Sequence, residues 1–203
     1  MAGTRDRILD AAAHVMRTRG FARATTREIA RAAGYSEATL YKHFQDKTDL
    51  FLAVLKERLP RLPVFGDPDG KDSTDGEGTL RDRLVATARG AIAFYEASFP
   101  ISASVFSDPD LLAAHHAAVT HQGAGPQYPL EALARHLRLE QDNGHIRATA
   151  DCAAAASLLL GSCFQYAFLR CFAQLRPDPA AAAAHAAGIA TTLLAGLAPD
   201  ARA

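Results

Sequence analysis

The chain has 203 residues, a mass of 21.6 kDa and a formal net charge of zero, 22 Lys+Arg against 22 Asp+Glu. A chain of that size buries about 70 % of its unfolded surface, so it needs neither a disulfide framework nor a structural metal, and its three cysteines do not supply the former. With 49 % apolar and 22 % charged residues it is not disordered throughout.

Alanine, the best helix former, occurs 44 times, and the composition predicts an all-α protein. The balanced charge hides an asymmetry. Residues 1–58 carry 11 basic and 7 acidic residues, a net of +4, and the rest carries −4. A basic end of this kind suits a polyanion. No run of 18 apolar residues free of charge is apparent, so no transmembrane helix is expected. Arg5, Asp6 and Arg7 interrupt any signal-peptide core, and the odd cysteine count suits a reducing compartment, so the chain is read as cytoplasmic.

In chain order, Thr4 is placed to cap a first helix with Ile8, Ala11, Ala12, Val15 and Met16 on one face. Gly20 ends it, and Phe21 turns back onto the core. Thr25 and Glu28 form a capping box for a short helix carrying Ile29, Ala30 and Ala33, which Gly34 stops. Ser36 caps a third helix with Ala38, Leu40 and Tyr41. Asp46 caps a fourth through Leu50, Phe51, Val54, Leu55 and Leu59.

Residues 60–78 are rich in proline, glycine and polar side chains, and read as a linker between domains 1–59 and 79–203, or as a long surface loop. Helix resumes near Thr79, with Leu80, Leu84, Ala88, Ala91 and Ile92 on one face, until Pro100 interrupts it. Asp108-Pro109 is a cap followed by proline at the first helical position. Residues 123–129 read as loop, and Leu130–Gln141 as an amphipathic helix stopped by Asn143-Gly144. Residues 150–173 are nearly all apolar, and Asp178-Pro179 opens a last alanine-rich helix to about Leu197.

The first sixty residues contain a helix-turn-helix candidate. Such a unit projects its second helix into the major groove while neighbouring groups clamp phosphates. Thr25, Thr26 and Arg27 open the first short helix, where free backbone N–H groups favour an anion. Tyr41, Lys42 and His43 end the second, and Lys47 opens the next.

The stretch TTREIARAAGYSEATLYKHFQDKTDLF, residues 25–51, resembles the DNA-binding region of the TetR family of transcriptional regulators, and the likeness extends back through RDRILDAAAHVMRTRGF, residues 5–21. Positions Ile29-Ala30, Ala33-Gly34, Leu40-Tyr41, Phe44 and Lys47 carry it. The resemblance implies that Ser36, Glu37, Ala38, Thr39 and Tyr41 lie on or at the start of a recognition helix. It implies phosphate contacts from Thr26, Tyr41, His43 and Lys47, and a base or phosphate contact from Arg27. Leu40 and Phe44 should be core, whereas Tyr35 can face either way. Glu37 repels phosphate, so it is either a charge favourable to the helix start or a reader of cytosine, the former being preferred.

The family layout further implies a helical C-terminal domain that binds a small effector and dimerises, most often in a repressor. Two recognition helices would then meet a palindrome whose half-sites lie roughly 34–36 Å apart. The nominated interface is residues 150–173 with 179–197, Gly161 marking the close approach; ordinary core is the alternative. Candidate effector contacts are Phe94, Tyr95, Phe99, Phe106, His116, Tyr128, Phe164 and Phe168, beside His115 and Tyr166. His116 and His121 lack the spacing of four that shares a helix face, so no metal site is expected. Cys152 and Cys163 read as buried free thiols. No GxGxxG, Walker, GxSxG or HExxH motif is present, and no cofactor is expected. The rival reading is a helical enzyme or ligand carrier with an N-terminal interaction module; binding to DNA discriminates the two.

Overall fold

The computed structural model describes residues 3–59, 62, 78–121 and 125–198, and among these the regular structure is entirely α-helical. The helices are α1 (Thr4–Arg19), α2 (Thr26–Ala33), α3 (Glu37–Tyr41), α4 (Lys47–Glu57), α5 (Leu80–Phe106), α6 (Pro109–His121), α7 (Gln127–Asp142), α8 (Cys152–Phe172) and α9 (Pro179–Leu197). They form two compact units, residues 1–60 with 97–124 and residues 61–96 with 125–203. Residues 97–121, which the sequence groups with the C-terminal half, thus cluster with the first unit. Nearly all of the expected linker, 60–78, lies outside the described residues.

The first unit is assembled around α1. Ile8, Leu9, Ala12 and Met16 are fully buried against Ile29, Leu40, Leu50, Phe51 and Val54, with Ile101, Val105 and Leu111 completing the cluster. Most helix starts follow the local signals. Thr25 accepts a hydrogen bond from the Glu28 backbone N–H at 3.2 Å, Ser36 from that of Thr39, and Asp46 from that of Asp49. Thr4 departs from expectation: it is already helical, and Gly3 precedes it as a cap without a side-chain bond. Gly34 takes the left-handed conformation that ends α2, at φ 80° and ψ 26°. Two ionic ties close α1 onto α4. Arg5 binds both Glu57 carboxylate oxygens, at 2.6 and 2.8 Å, and Arg58 reaches Asp6 at 2.9 Å and Asp10 at 2.7 Å.

Pro100 does not interrupt the helix. α5 continues through it for 27 residues. A helix-interior proline costs about 3 kcal/mol through a lost hydrogen bond and a clash one turn back. Burial on both sides of the proline outweighs this: Leu84, Ala88, Ala91 and Ile92 before it and Ile101 and Val105 after it are all within 2 % of complete burial. α7 likewise begins at Gln127, inside the stretch expected to be loop, because Pro129 falls in the first turn, where its missing N–H has no partner to lose. Asp108 caps α6 as expected, accepting from the Asp110 and Leu111 backbone N–H groups at 3.1 Å.

In the second unit Leu84, Ala88 and Ile92 of α5 meet Leu133 and Leu137 of α7, Ala156, Leu159 and Cys163 of α8, and Ala186 and Ala190 of α9. Asp151 and Asp178 cap α8 and α9, each accepting two backbone N–H bonds. Cys152 and Cys163 are buried and free, and burial pushes the Cys163 thiol up to about 12, which suppresses its reactive thiolate. Buried Glu140 is bound by Arg83 and by His145, whose Nδ1 lies 2.6 Å away. Contrary to the expectation from sequence, α8 and α9 are each long and apolar enough to cross a bilayer by length and composition, with mean hydropathies of 1.6 and 1.5. One stripe of each lies in this core of the second unit.

Candidate nucleic-acid interface

The α2–turn–α3 segment and the start of α4 display the candidate DNA contacts. Thr25 and Ser36 are the caps of α2 and α3, and both are exposed, as are Arg27, Ala38, Lys42 and His43. Leu40 and Phe44 point inward, at 0 % and 3 % exposure, as the resemblance implies. With its apolar side thus anchored, the five-residue α3 leaves Tyr41 half exposed.

Three of these side chains meet. The Thr26 hydroxyl donates to a Glu37 carboxylate oxygen at 2.5 Å, and the Tyr41 hydroxyl lies 3.2 Å from Thr26 Oγ1. On α3 itself, Ser36 and Thr39 hydroxyls bond at 2.9 Å. The cap acceptor of α3 is therefore Ser36, while the carboxylate of Glu37 is engaged across the turn. Glu28, the expected second arm of the α2 capping box, sits 2.6 Å from Arg19. Tyr35 is half-buried, its hydroxyl accepting from Arg7 at 3.2 Å and its ring lying 5.1 Å under the same guanidinium.

Lys47, the first residue of α4, rests its ammonium 4.2 Å from the centre of the Phe21 ring and 3.5 Å from the Ala22 carbonyl. Burial pulls its pKa down, partly offset by Asp108. Arg7, Arg19 and Phe21, which hold this surface in shape, are absent from the sequence-derived set. Their roles depend on partners far along the chain, for which spacing gives no signal.

The candidate effector contacts fall in both units. Phe94, Tyr95, Tyr128, Phe164 and Phe168 belong to the second unit, whereas Phe99, Phe106 and His116 belong to the first. Tyr95 does bring Phe94 and Phe164 together, edge-on at 5.3 and 5.4 Å. Phe106 is 79 % exposed and His116 is exposed. None of the eight lines the open groove of about 620 Å³ between α8 and α9. That groove is bounded by Ala154, Leu158, Ser162, Gly188, Thr192 and Gly196.

Residues 8–54 match the family model for bacterial regulatory proteins of the tetR family, and residues 109–197 match that for the C-terminal domain of AefR-like transcriptional repressors. The chain belongs to the TetR family of transcriptional regulators. Both family models describe transcriptional regulators, which counts against the rival reading as an enzyme. It is 33 % identical over 86 residues to the HTH-type transcriptional repressor Rv1474c of Mycobacterium tuberculosis, a match spanning 42 % of this chain and 43 % of that one. It is 43 % identical over 82 residues to the HTH-type transcriptional activator FasR of Mycolicibacterium smegmatis, spanning 40 % and 37 % of the two chains. These matches therefore cover less than half the length of either relative. The crystal structure of the transcriptional regulator FadR from Bacillus subtilis, in complex with stearoyl-CoA, superimposes with a TM-score of 0.68 over 94 % of this chain and 98 % of that one. At 17 % identity that likeness is one of fold.

Proposed function

We propose that this TetR-family regulator is a cytoplasmic repressor that binds a palindromic operator as a homodimer and is released by a small effector bound in its C-terminal half. The observation that carries the dimer is the α8–α9 groove. Leu158 stands 67 % exposed beside it, and β-carbons added at Gly161, Gly188 or Gly196 would meet nothing within 4 Å. An apolar face bordered by small residues is self-complementary across a two-fold axis, the symmetry of a palindrome. The edge-on cluster of Phe94, Tyr95 and Phe164 is the proposed apolar wall of the effector site. An effector acts by binding unequally to two dimer geometries, only one of which matches the groove spacing.

Light scattering on the eluted protein should give twice the 21.6 kDa chain mass, and the same dimer should retard duplex DNA from around its own coding region. A monomer that binds such DNA at full affinity rejects the dimer. Failure to retard any of that DNA rejects self-regulation.

The proposed phosphate clamp makes a separate prediction. Lys47→Ala should weaken specific and mixed-sequence DNA alike, and lower the slope of log affinity against log salt by about 1, because one fewer counterion is released. An unchanged slope would show that the ammonium stays on the Phe21 ring in the complex.

A further inference from the structure

Glu37 is an anion on a surface that must meet phosphates. Ser36 already caps α3 through the Thr39 N–H, so the helix start does not require the Glu37 carboxylate as an acceptor. Among the described residues no ion pair involves Glu37; its carboxylate accepts instead from the hydroxyl of Thr26, a residue of α2.

Proton accounting fixes the direction of the chain of bonds. Thr26 has one hydroxyl proton and donates it to Glu37, so the Tyr41 hydroxyl is the donor toward Thr26 Oγ1. Two of the proposed phosphate donors thus point, in series, at an internal carboxylate. That carboxylate occupies the role a phosphate oxygen would take.

We propose that Glu37 is a specificity-determining residue that is handed from Thr26 to the exocyclic amine of a cytosine when the protein docks. This rests on the DNA-binding reading above. For Thr26 and Tyr41 to donate to phosphate, the relay must open, and Glu37 then loses its donor. An ionised carboxylate only accepts hydrogen bonds. In the major groove guanine offers N7 and O6, and thymine offers O4, which are all acceptors that repel it. Adenine pairs its amine with the N7 acceptor alongside. Cytosine offers the N4 amine alone, the partner a carboxylate takes. With cytosine beneath it, the exchange replaces each bond that is lost. With guanine or thymine a carboxylate is left unpaired among phosphates, and with adenine its one bond is opposed by N7, so Glu37 selects by penalty as much as by attraction.

Selection from random duplexes at one salt concentration, with the full-length protein and Glu37→Gln, tests this. The parent should recover one cytosine in each half-site, and exchanging that pair for T·A should weaken its binding about tenfold, as one mismatched pair does. Glu37→Gln should lose the cytosine, shift toward adenine, which a side-chain amide reads, and bind mixed-sequence DNA more tightly than the parent. The same cytosine preference in both proteins overturns the assignment, as does a parent site without a fixed cytosine. If neither protein retains any duplex while both remain helical by circular dichroism, the DNA-binding reading itself fails, and this inference with it.

Discussion

Gly161→Arg should turn the protein into a helical monomer that no longer holds its operator. Gly161 lies on the outer stripe of α8 with Ala154 and Leu158, all three exposed in the single chain. A β-carbon there meets nothing within 4 Å, and arginine is the better helix former by about 1 kcal/mol, so the isolated chain has no reason to unfold. The cost falls on assembly. In the proposed two-fold seam each arginine would face its mate, and a buried charge without a partner costs about 3–5 kcal/mol. The dimer dissociation constant should therefore rise by two orders of magnitude or more, by the tenfold-per-1.4 kcal/mol rule. Light scattering reads the mass and a mobility shift reads the operator complex. A variant that stays dimeric with parental affinity places the seam elsewhere, and leaves the α2–α3 surface untouched.

Phe51→Ala should destabilise the first unit by about 3–5 kcal/mol, the usual cost of removing a buried phenylalanine. The ring is fully buried and meets Phe21 edge-on at 4.8 Å. An aromatic pair of this kind adds about 0.5–1.5 kcal/mol to the area term. Against a total stability of about 5–15 kcal/mol, the loss brings the unit near its folding threshold. The consequence reaches the proposed interface, because Phe21 is also the platform for the Lys47 ammonium. Thermal denaturation should show a much lower midpoint, and DNA retention should fail first on warming and return on cooling. Phe51→Leu keeps most of the volume and should lie much closer to the parent. An unchanged midpoint for Phe51→Ala would mean that the neighbouring side chains refill the site.

Local chemistry makes much of this protein legible in its sequence. Thr25, Ser36, Asp46, Asp108 and Asp178 all cap the helices assigned to them, because a cap bond spans only two or three residues and competes with nothing distant. Leu40 and Phe44 are core as the family resemblance implies. The family wording of residues 5–51 carries the regulatory reading, which no count of charges could do. Contacts between distant segments are decided by the tertiary structure alone. Pro100 reads as a break by its own cost, and only the burial of both flanks holds α5 continuous. Composition shows that α8 is apolar, yet Leu159 faces the core and Leu158 faces outward solely because of where α5 and α7 pack. The Thr26–Glu37 bond joins residues eleven apart, and its length is set by how α2 and α3 cross, a geometry determined by the buried contacts of α1 and α4 rather than by either residue.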